Sequence, residues 1–277
     1  MGTLIALGKD LIYTSGGGPS PTPTPDGKIV IPINDVTIWQ ECAGITEGYS
    51  TMADILADSA MLLLLMGDDN AVDYMVRSTD FISDITSNQN AMNDIGLNNY
   101  AANTLLESSD WIDAVCTSSY FESVLNTKVP VMTSNTIPSG SCFASSTYSG
   151  RNPYNAFDNV SGNFWMSTNT TETTPQYLGY EFDKKVKVVK FHFYGFTWAG
   201  GSGYPRNYSV QGYDDETNNW VDIASYTSNS SMDVTKIFIN ANDYQKYRIY
   251  GTLWVLGNDD RNRAGLQTLQ FYGRADV

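Results

Sequence analysis

The sequence is poor in cysteine, histidine and basic residues. Among its 277 residues are three cysteines, one histidine, and 16 Lys or Arg against 30 Asp or Glu, for a formal net charge of −14. Three cysteines far apart in the chain predict neither a disulfide framework nor a metal knuckle, so we expect buried thiols. The acidic balance argues against nucleic acid, or an anionic membrane surface, as the main partner.

Long apolar runs and a secretory leader are also missing. The longest apolar run, residues 60–66, is too short to span a bilayer, and the first residues have no basic region before their short apolar run. We therefore expect synthesis in a cytosol, no membrane insertion and no export by the usual route.

The sequence has no recognisable catalytic motif. There is no GxSxG, no phosphate-binding loop and no His/Cys cluster. The single histidine, His192, stands between Phe191 and Phe193, which predicts a place on a strand face. A buried carboxylate pair, as in a glycosidase, is left open, although nothing favours one. We predict that the protein is not an enzyme and needs no cofactor.

What is present is a globular composition with uneven charge. Hydrophobic residues make up 42% and aromatic residues 13% of the chain. Residues 53–130 carry twelve Asp or Glu against two basic residues, a net charge of −10. Residues 133–277 carry thirteen acidic against twelve basic residues and are close to neutral. This difference predicts two separately built parts.

The first 52 residues are predicted to form a short N-terminal peptide, a linker and a short β segment. Residues 16–27, GGGPSPTPTPDG, predict a flexible linker followed by an extended polyproline spacer. Residues 1–15 are too few to fold alone, so they are either disordered or a docking peptide ordered by a partner. In residues 28–52, the alternating stretch KIVIPINDVTIWQ predicts one or two strands, and its proline favours a sheet edge.

Residues 53–130 divide into ten-residue units. In seven consecutive units the third and ninth places are apolar, and the sixth place holds only Asp, Ser or Asn. A ten-residue period does not fit one continuous helix, because ten steps of about 100° rotate each apolar face by roughly 80°. The sixth-place residues are Asp58, Asp68, Ser78, Asn88, Asn98, Ser108 and Ser118.

Ser, Asp and Asn favour starting a helix, since their side chains accept the free N–H groups of its first turn. We therefore predict a string of helices of about two turns, each capped by its polar cluster and held by stacking within or between chains. The alternative is two or three longer helices with incidental polar breaks.

From residue 129 the pattern changes to short alternating segments, which predict an antiparallel β-sandwich. The fold class is therefore multidomain α and β, with a short-helix ten-residue repeat region followed by a jelly-roll sandwich. The predicted strands are residues 179–183, 186–196, 207–214, 220–227, 236–240, 244–255 and 266–273.

Five sequence blocks carry a family resemblance. They are YNAFDNVSGNFWMST (154–168), PQYLGYEF (175–182), PRNYSVQGYDDETNNWVDIASYT (205–227), YQKYRIYGT (244–252) and LQTLQFYG (266–273). Residues 133–277 thus resemble the discoidin-like, coagulation factor 5/8 type C, galactose-binding-like family, which implies a β-sandwich. In that family, binding sites lie on loops at one end of the sandwich and meet a sugar, a lipid or a protein.

The resemblance directs attention to the loops at residues 196–206 and 253–263. Aromatic rings there offer flat apolar faces to a sugar, and arginine or asparagine side chains donate to hydroxyls or carboxylates. The alternative is that the indoles pack at the sandwich ends and the arginines pair with neighbouring acids. The candidate ligand-binding residues are Trp198, Tyr204, Arg206, Trp254, Asn258, Arg261 and Arg263.

Many members of this family hold calcium near the loop that corresponds to residues 156–158. Asp158 and Ser161 would supply oxygen ligands, although the resemblance also implies that Asp158 and Trp165 pin this loop to the sheet. Gln267 and Thr268 stand where the family pattern has a glutamate, so calcium binding and a calcium-free loop both stay open.

The order of the parts is similar to that of tailed-bacteriophage virion appendages. On this resemblance we predict a head or tail fibre, or a decoration protein, localised to the virion and made in the host cytoplasm. Residues 1–15 would bind other virion proteins, residues 53–130 would form a stalk, and residues 133–277 would contact cell-surface carbohydrate. A homo-oligomer, plausibly a trimer, is expected. The alternative is a purely structural component whose sandwich contacts only protein.

Overall fold

A computed structural model describes residues 56–77, 79, 81–168, 170–198, 201–256 and 263–276. It also describes the backbone at residues 3–7, 10–14, 22–23 and 29–30. The side chains of Met61, Leu64, Asn70, Tyr74 and Trp198 lie outside this description. The chain divides into two compact units, Met1–Val124 and Leu125–Val277. In these ranges no helix has both the length and the apolar character needed to cross a membrane.

The N-terminal segment contains two short antiparallel strand pairs, β1 with β2 and β3 with β4. Residues 1–15 therefore include a backbone hairpin, and their docking role stays a prediction. Of the strand predicted at residues 28–40, only β4 falls within the described residues. The strands are β1 Thr3–Leu7, β2 Asp10–Thr14, β3 Thr22–Pro23 and β4 Ile29–Val30.

The described residues between 56 and 124 form short helices. The longest have nine residues, so the described part of this region holds the predicted short helices and not two or three long ones. The ten-residue periodicity itself stays an interpretation of the sequence. The helices are α1 Ser59–Met66, α2 Asp69–Met75, α3 Ile82–Thr86, α4 Gln89–Leu97, α5 Asn99–Glu107, α6 Ile112–Thr117 and α7 Phe121–Val124.

Side-chain caps start several of these helices. The side-chain oxygens of Asp68, Asn88 and Asn98 each accept a backbone N–H three residues on, at 3.0–3.1 Å. The cap predicted at Ser108 is not found, because α6 begins after Trp111 without a side-chain cap hydrogen bond. Trp111, the residue at the N-cap position, is fully buried.

The helices stack in a regular order. Helix α1 contacts α2, each helix from α3 to α6 contacts the next, and α1 contacts α4, α2 contacts α5, α3 contacts α6, and α4 contacts α7. Polar side chains join the layers: the amide of Asn88 donates to the carbonyl of Leu56 at 3.2 Å, and the hydroxyl of Ser118 donates to the carbonyl of Thr86. Three short helices thus complete one turn of a coil, and stacking stabilises helices too short to persist alone.

The second unit is an antiparallel β-sandwich. The first sheet has the strand order β10–β9–β12–β8–β6, and the second contains β11–β8–β13, with β5 and β7 on the other edge of β13. The strands are β5 Thr127–Lys128, β6 Ser141–Ala144, β7 Trp165–Met166, β8 Gln176–Trp198, β9 Gly201–Asp214, β10 Asn219–Tyr226, β11 Asp233–Ile237, β12 Tyr244–Val255 and β13 Gly265–Arg274.

Strand β8 belongs to both sheets. Its first part pairs with β6 and β12, and its later part pairs with β11 and β13. The two strands predicted at residues 179–183 and 186–196 are therefore one strand of 23 residues. Alternating residues such as Tyr247 and Ile249 on β12 point into the core, whereas Arg248 and Tyr250 stay partly exposed.

The second unit begins earlier than residue 133. The side-chain amide of Asn126 both donates to the carbonyl and accepts from the N–H of Ala275, at 3.0 Å each. Val129 is buried in the sandwich core, and its carbonyl accepts from the amide of Gln270 at 2.6 Å. The β-sandwich therefore begins directly after α7, because these hydrogen bonds join the start of the unit to the end of the chain around β13.

Candidate functional site

Several loops meet around Phe196 at one end of the sandwich. The Phe196 ring stacks on Phe164 at a centroid distance of 5.2 Å. A Cβ added to Gly203 would lie 2.0 Å from this ring, and one added to Gly265 would lie 2.8 Å from it. Only glycine fits at these two contacts, so the β8–β9 hairpin and the start of β13 close directly over the Phe196 ring.

Two guanidinium groups lie over aromatic rings at this end. The Cζ of Arg151 is 4.1 Å from the centroid of the Phe164 ring, and the Cζ of Arg263 is 3.8 Å from that of Tyr148. Arg151 and Tyr148 are partly exposed, whereas Arg263 is only 2% exposed. Such stacking fixes the plane of a guanidinium. We call Tyr148, Arg151, Phe164, Phe196 and Arg263 the loop-end cluster.

Backbone hydrogen bonds hold the loop-end cluster in place. The N–H of Tyr148 donates to the carbonyl of Met166 at 2.8 Å, and the N–H of Met166 donates to the carbonyl of Arg151 at 3.3 Å. The indole N–H of Trp165 donates to the carbonyl of Ser146 at 2.9 Å. Residues 145–151 are therefore tied to β7, which itself pairs with β13.

Tyr204 and Arg206 lie on the second strand of the β8–β9 hairpin. The hydroxyl of Tyr204 donates to the carbonyl of Ser230 at 3.4 Å, and the carbonyl of Arg206 accepts from the N–H of Asn229 at 2.9 Å. Tyr204 is partly exposed and the Arg206 side chain is exposed. Both predicted binding residues therefore present surface to solvent beside the loop at residues 228–231.

Trp254 lies in the core and not on the surface where the sequence interpretation placed it. The residue is 1% exposed, packs edge-on against Trp165 at 6.3 Å, and its indole N–H donates to the carbonyl of Gly251 at 3.0 Å. Its ring faces cannot meet a sugar in this arrangement. The prediction of Trp254 as a binding surface is thus corrected, and Arg263 is likewise a buried member of the loop-end cluster.

Three other predicted binding residues cannot be placed in the site. Asn258 and Arg261 lie outside the described residues, and Trp198 is described only as the end of β8 without its side chain. Their roles stay predictions.

The loop that contains Asp158 is closed by hydrogen bonds. One carboxylate oxygen of Asp158 accepts the N–H of Val160 at 2.8 Å, and the other accepts the amide of Asn163 at 2.7 Å. Ser161 is exposed. Both oxygens of the only carboxylate in the predicted pair face N–H donors, which agrees with the loop-pinning role of Asp158, and calcium binding stays a prediction. Among the described residues no cluster of three His, Cys, Asp or Glu side chains is placed to hold a metal.

His192 lies on a strand face, as its neighbours predicted. Its Nε2 is 2.9 Å from a carboxylate oxygen of Asp233 on the adjacent strand β11, and the Asp233 side chain is 68% exposed. The pair is open to water and lies on the second sheet. It gives no support to a catalytic role, and the absence of enzyme activity stays a prediction.

Sequence reasoning missed Tyr148, Arg151 and Phe164. Tyr148 and Arg151 are close in the sequence TYSGRNPY, but their pairing with Arg263 and Phe164 depends on contacts across the fold. The sequence feature that could have indicated a binding loop here is an arginine and a tyrosine within a segment that also contains Gly and Ser.

The comparisons with known proteins identify part of the chain. Residues 141–265 match the family model of the F5/8 type C domain. This part is therefore a discoidin-like β-sandwich domain, and the resemblance predicted from the sequence is confirmed for these residues. No curated protein matches the chain.

Two solved structures of bacterial modules match part of the chain. The chitosan-binding module 1 of a chitosanase/glucanase from Paenibacillus sp. IK-5 is 21% identical, with 48% of this chain and 95% of that chain covered and a TM-score of 0.40. The family 32 carbohydrate-binding module of NanJ from Clostridium perfringens, solved with galactose, is 18% identical. That comparison covers 53% of this chain and 99% of the module, with a TM-score of 0.40.

Proposed function

We propose that the F5/8 type C domain binds carbohydrate at the loop end of its sandwich. The observation that carries the proposal is the loop-end cluster, in which Arg151 and Tyr148 are partly exposed and each belongs to a cation–π pair. A sugar ring places its C–H face on an aromatic ring, while its hydroxyls accept from a guanidinium. Tyr204 and Arg206 add the same two chemistries on the β8–β9 hairpin.

Binding of this kind is weak for a single domain. The accessible ring surface is small and the donors are exposed to water, so each contact contributes little. Several copies on one particle would raise the effective concentration and make weak binding useful. A multivalent role for the protein is therefore part of the proposal.

A glycan array with the full chain tests the proposal. We expect a restricted set of bound glycans, and we expect Arg151→Ala to weaken binding to them by about tenfold, since a stacked donor is lost. Lys236→Ala is the matched control, because Lys236 also lies over a tyrosine ring, at 5.6 Å from Tyr226, but on the second sheet. A site at the loop end would be contradicted if the array shows no bound glycan. It would also be contradicted if Arg151→Ala and Lys236→Ala weaken glycan binding equally.

A second, more specific proposal concerns the whole chain: we propose that it is a phage virion structural protein. The support is the order of parts: a short N-terminal segment, an acidic unit of stacked helices, and a binding-type domain. Residues 1–15 would dock on other virion proteins, the helical unit would act as stalk, and a homo-oligomer, plausibly a trimer, would present the domains. The competing proposal is a structural component whose sandwich contacts protein only.

Purified virus particles from the source culture provide the test. Mass spectrometry should detect the chain in particles, and a chain lacking residues 1–15 should fold and yet be lost from them, because docking needs that segment. Detection only in particle-free fractions would contradict the virion role. Firm incorporation together with an empty glycan array would favour the competing structural role.

A further inference from the structure

The outer face of the first sheet carries a continuous belt of aromatic rings. The belt consists of five side chains, each of them partly exposed: Phe143, Tyr177, Tyr213, Trp220 and Tyr250. The centroid distance from Tyr250 to Tyr177 is 6.5 Å, from Tyr177 to Phe143 6.3 Å, from Phe143 to Trp220 5.9 Å, and from Trp220 to Tyr213 5.3 Å. The belt runs over all five strands of this sheet and lies on its outer face.

Strand register brings these rings around one arginine. On β12, Arg248 lies opposite Gly179 of β8 and Gln211 of β9. Gly179 also pairs with Phe143 of β6, and a Cβ on this glycine would lie 2.4 Å from the Phe143 ring. The missing side chain at Gly179 therefore leaves room for the Phe143 ring, which packs against the ring of Trp220.

The guanidinium of Arg248 is held from several sides. Its Cζ lies 3.9 Å from the ring centroid of Trp220, 4.5 Å from that of Tyr177 and 4.8 Å from that of Tyr250. Its Nε donates to the side-chain oxygen of Gln211 at 2.6 Å. Neither Nη atom hydrogen-bonds a described residue, so the forked edge of the guanidinium is held in position without a partner there. We call Arg248 and the five rings the outer-face patch.

Direct charge neutralisation of Arg248 is incomplete. Asp222, an acid whose charge acts on Arg248, accepts the amide of Gln211 at 2.7 Å and forms no ion pair with Arg248 within the described part of the chain. The neighbouring cation Lys246 is instead 3.5 Å from Glu181. Burial lowers the pKa of Arg248 from its ordinary value. A partly desolvated cation of this kind gains more from an incoming carboxylate than an exposed one does.

We propose that the outer-face patch is a second carbohydrate site, specific for acidic sugars of the uronic acid class. The sugar carboxylate would accept two hydrogen bonds from the Nη edge of Arg248, in the bidentate geometry that arginine favours. The adjoining sugar rings would lie on the aromatic belt, where neighbouring rings are spaced much like the units of an extended sugar chain. An acidic peptide could meet the cation but has no flat C–H faces to match five rings, so the sugar is favoured.

Calorimetry of the full chain with an oligomer of galacturonic acid tests the site, with a neutral oligomer of galactose as reference ligand. We expect the acidic oligomer to bind more tightly, and Arg248→Gln to weaken its binding by about tenfold or more. Added salt should weaken the wild-type complex. Lys236→Gln removes a cation of the second sheet that also lies over a tyrosine ring, that of Tyr226, and should leave the affinity unchanged.

Arg248→Lys keeps the charge and much of the packing if Arg248→Gln proves too unstable to study. It loses the forked geometry, so we expect a clear loss of preference for the acidic over the neutral oligomer. The proposal is overturned if no acidic oligomer binds, if acidic and neutral oligomers bind equally well, or if Arg248→Lys keeps the full preference. Binding of polyglutamate without binding of oligogalacturonate would also overturn it, in favour of an acidic peptide.

Discussion

Trp254→Ala is expected to lower the free energy of unfolding of the sandwich by about 3–5 kcal/mol, the cost of emptying a large aromatic site in a core. The indole is 1% exposed and packs against Trp165. A Cβ on Gly251 would lie 2.4 Å from its Nε1, so the ring rests directly on the backbone of its own strand. Few neighbours can move into the space that the indole would leave, because its floor is main chain.

Urea denaturation followed by circular dichroism measures this loss. Trp220→Ala is the matched control, since it removes the same side chain from the outer face, where Trp220 is partly exposed. We expect the control to cost less than half as much, because a half-exposed ring has less apolar area to lose. If Trp254→Ala keeps wild-type stability and abolishes glycan binding, the indole is a binding surface after all and its placement in the core is wrong.

The strands of the sandwich could be predicted because they depend on local alternation. The stretch YQKYRIYGTLWV was predicted as residues 244–255, and β12 has these bounds. The two lysines at residues 184–185 lay between two predicted strands, 179–183 and 186–196. In the structure β8 continues through them, because the strand leaves one sheet for the other there and needs no buried side chains at the crossing.

In the helical unit, too, local features could be predicted from the sequence and contacts between distant residues could not. Caps such as Asn88 and Asn98 follow from residue type and spacing, since they act on N–H groups three residues away. The contact of each helix with the third one along depends on the geometry of the whole coil. Likewise, the bond from Asn88 to Leu56 spans 32 residues, and no local pattern specifies it.

The candidate sites were the least predictable part. Trp254 and Trp220 are the same residue type in similar strand patterns, yet one is buried and the other lies on the outer face. Register and sheet order decide between these outcomes, and both are non-local. Arg248 was missed for this reason: its ring neighbours Tyr177 and Trp220 are far away in the sequence and meet it only through strand pairing.

Tyr247→Phe is expected to destabilise the sandwich by about 3 kcal/mol, whereas Tyr208→Phe is expected to be neutral or slightly stabilising. Both residues are buried, at 0% and 3% exposure. The Tyr247 hydroxyl accepts from the backbone N–H of Tyr244 at 3.1 Å and of Val188 at 3.3 Å, and it donates to the carbonyl of Val186. Removing it leaves these buried groups without that partner, and an unmet buried polar group costs about 1–3 kcal/mol.

The Tyr208 hydroxyl is buried and has no hydrogen-bond partner among the described residues. Its ring stacks on Tyr226 at 5.1 Å and meets Phe193 edge-on at 5.3 Å, and phenylalanine keeps both contacts. The substitution removes only a desolvated oxygen, so no favourable interaction is lost. The two variants form a matched pair, since each deletes one oxygen from a buried tyrosine of the same core.

Alkaline pH provides an independent readout of the same pair. Burial raises the pKa of both Tyr247 and Tyr208 above the ordinary value of 10.0. The unfolded chain therefore loses these protons first, and the stability linked to each neutral phenol, fully present below about pH 10, falls as pH rises above it. The stability difference between wild type and Tyr247→Phe should narrow from about pH 8 to about pH 11 in urea titrations. Equal destabilisation by both substitutions at pH 8 would show that the hydrogen bonds of Tyr247 are not what stabilises this core.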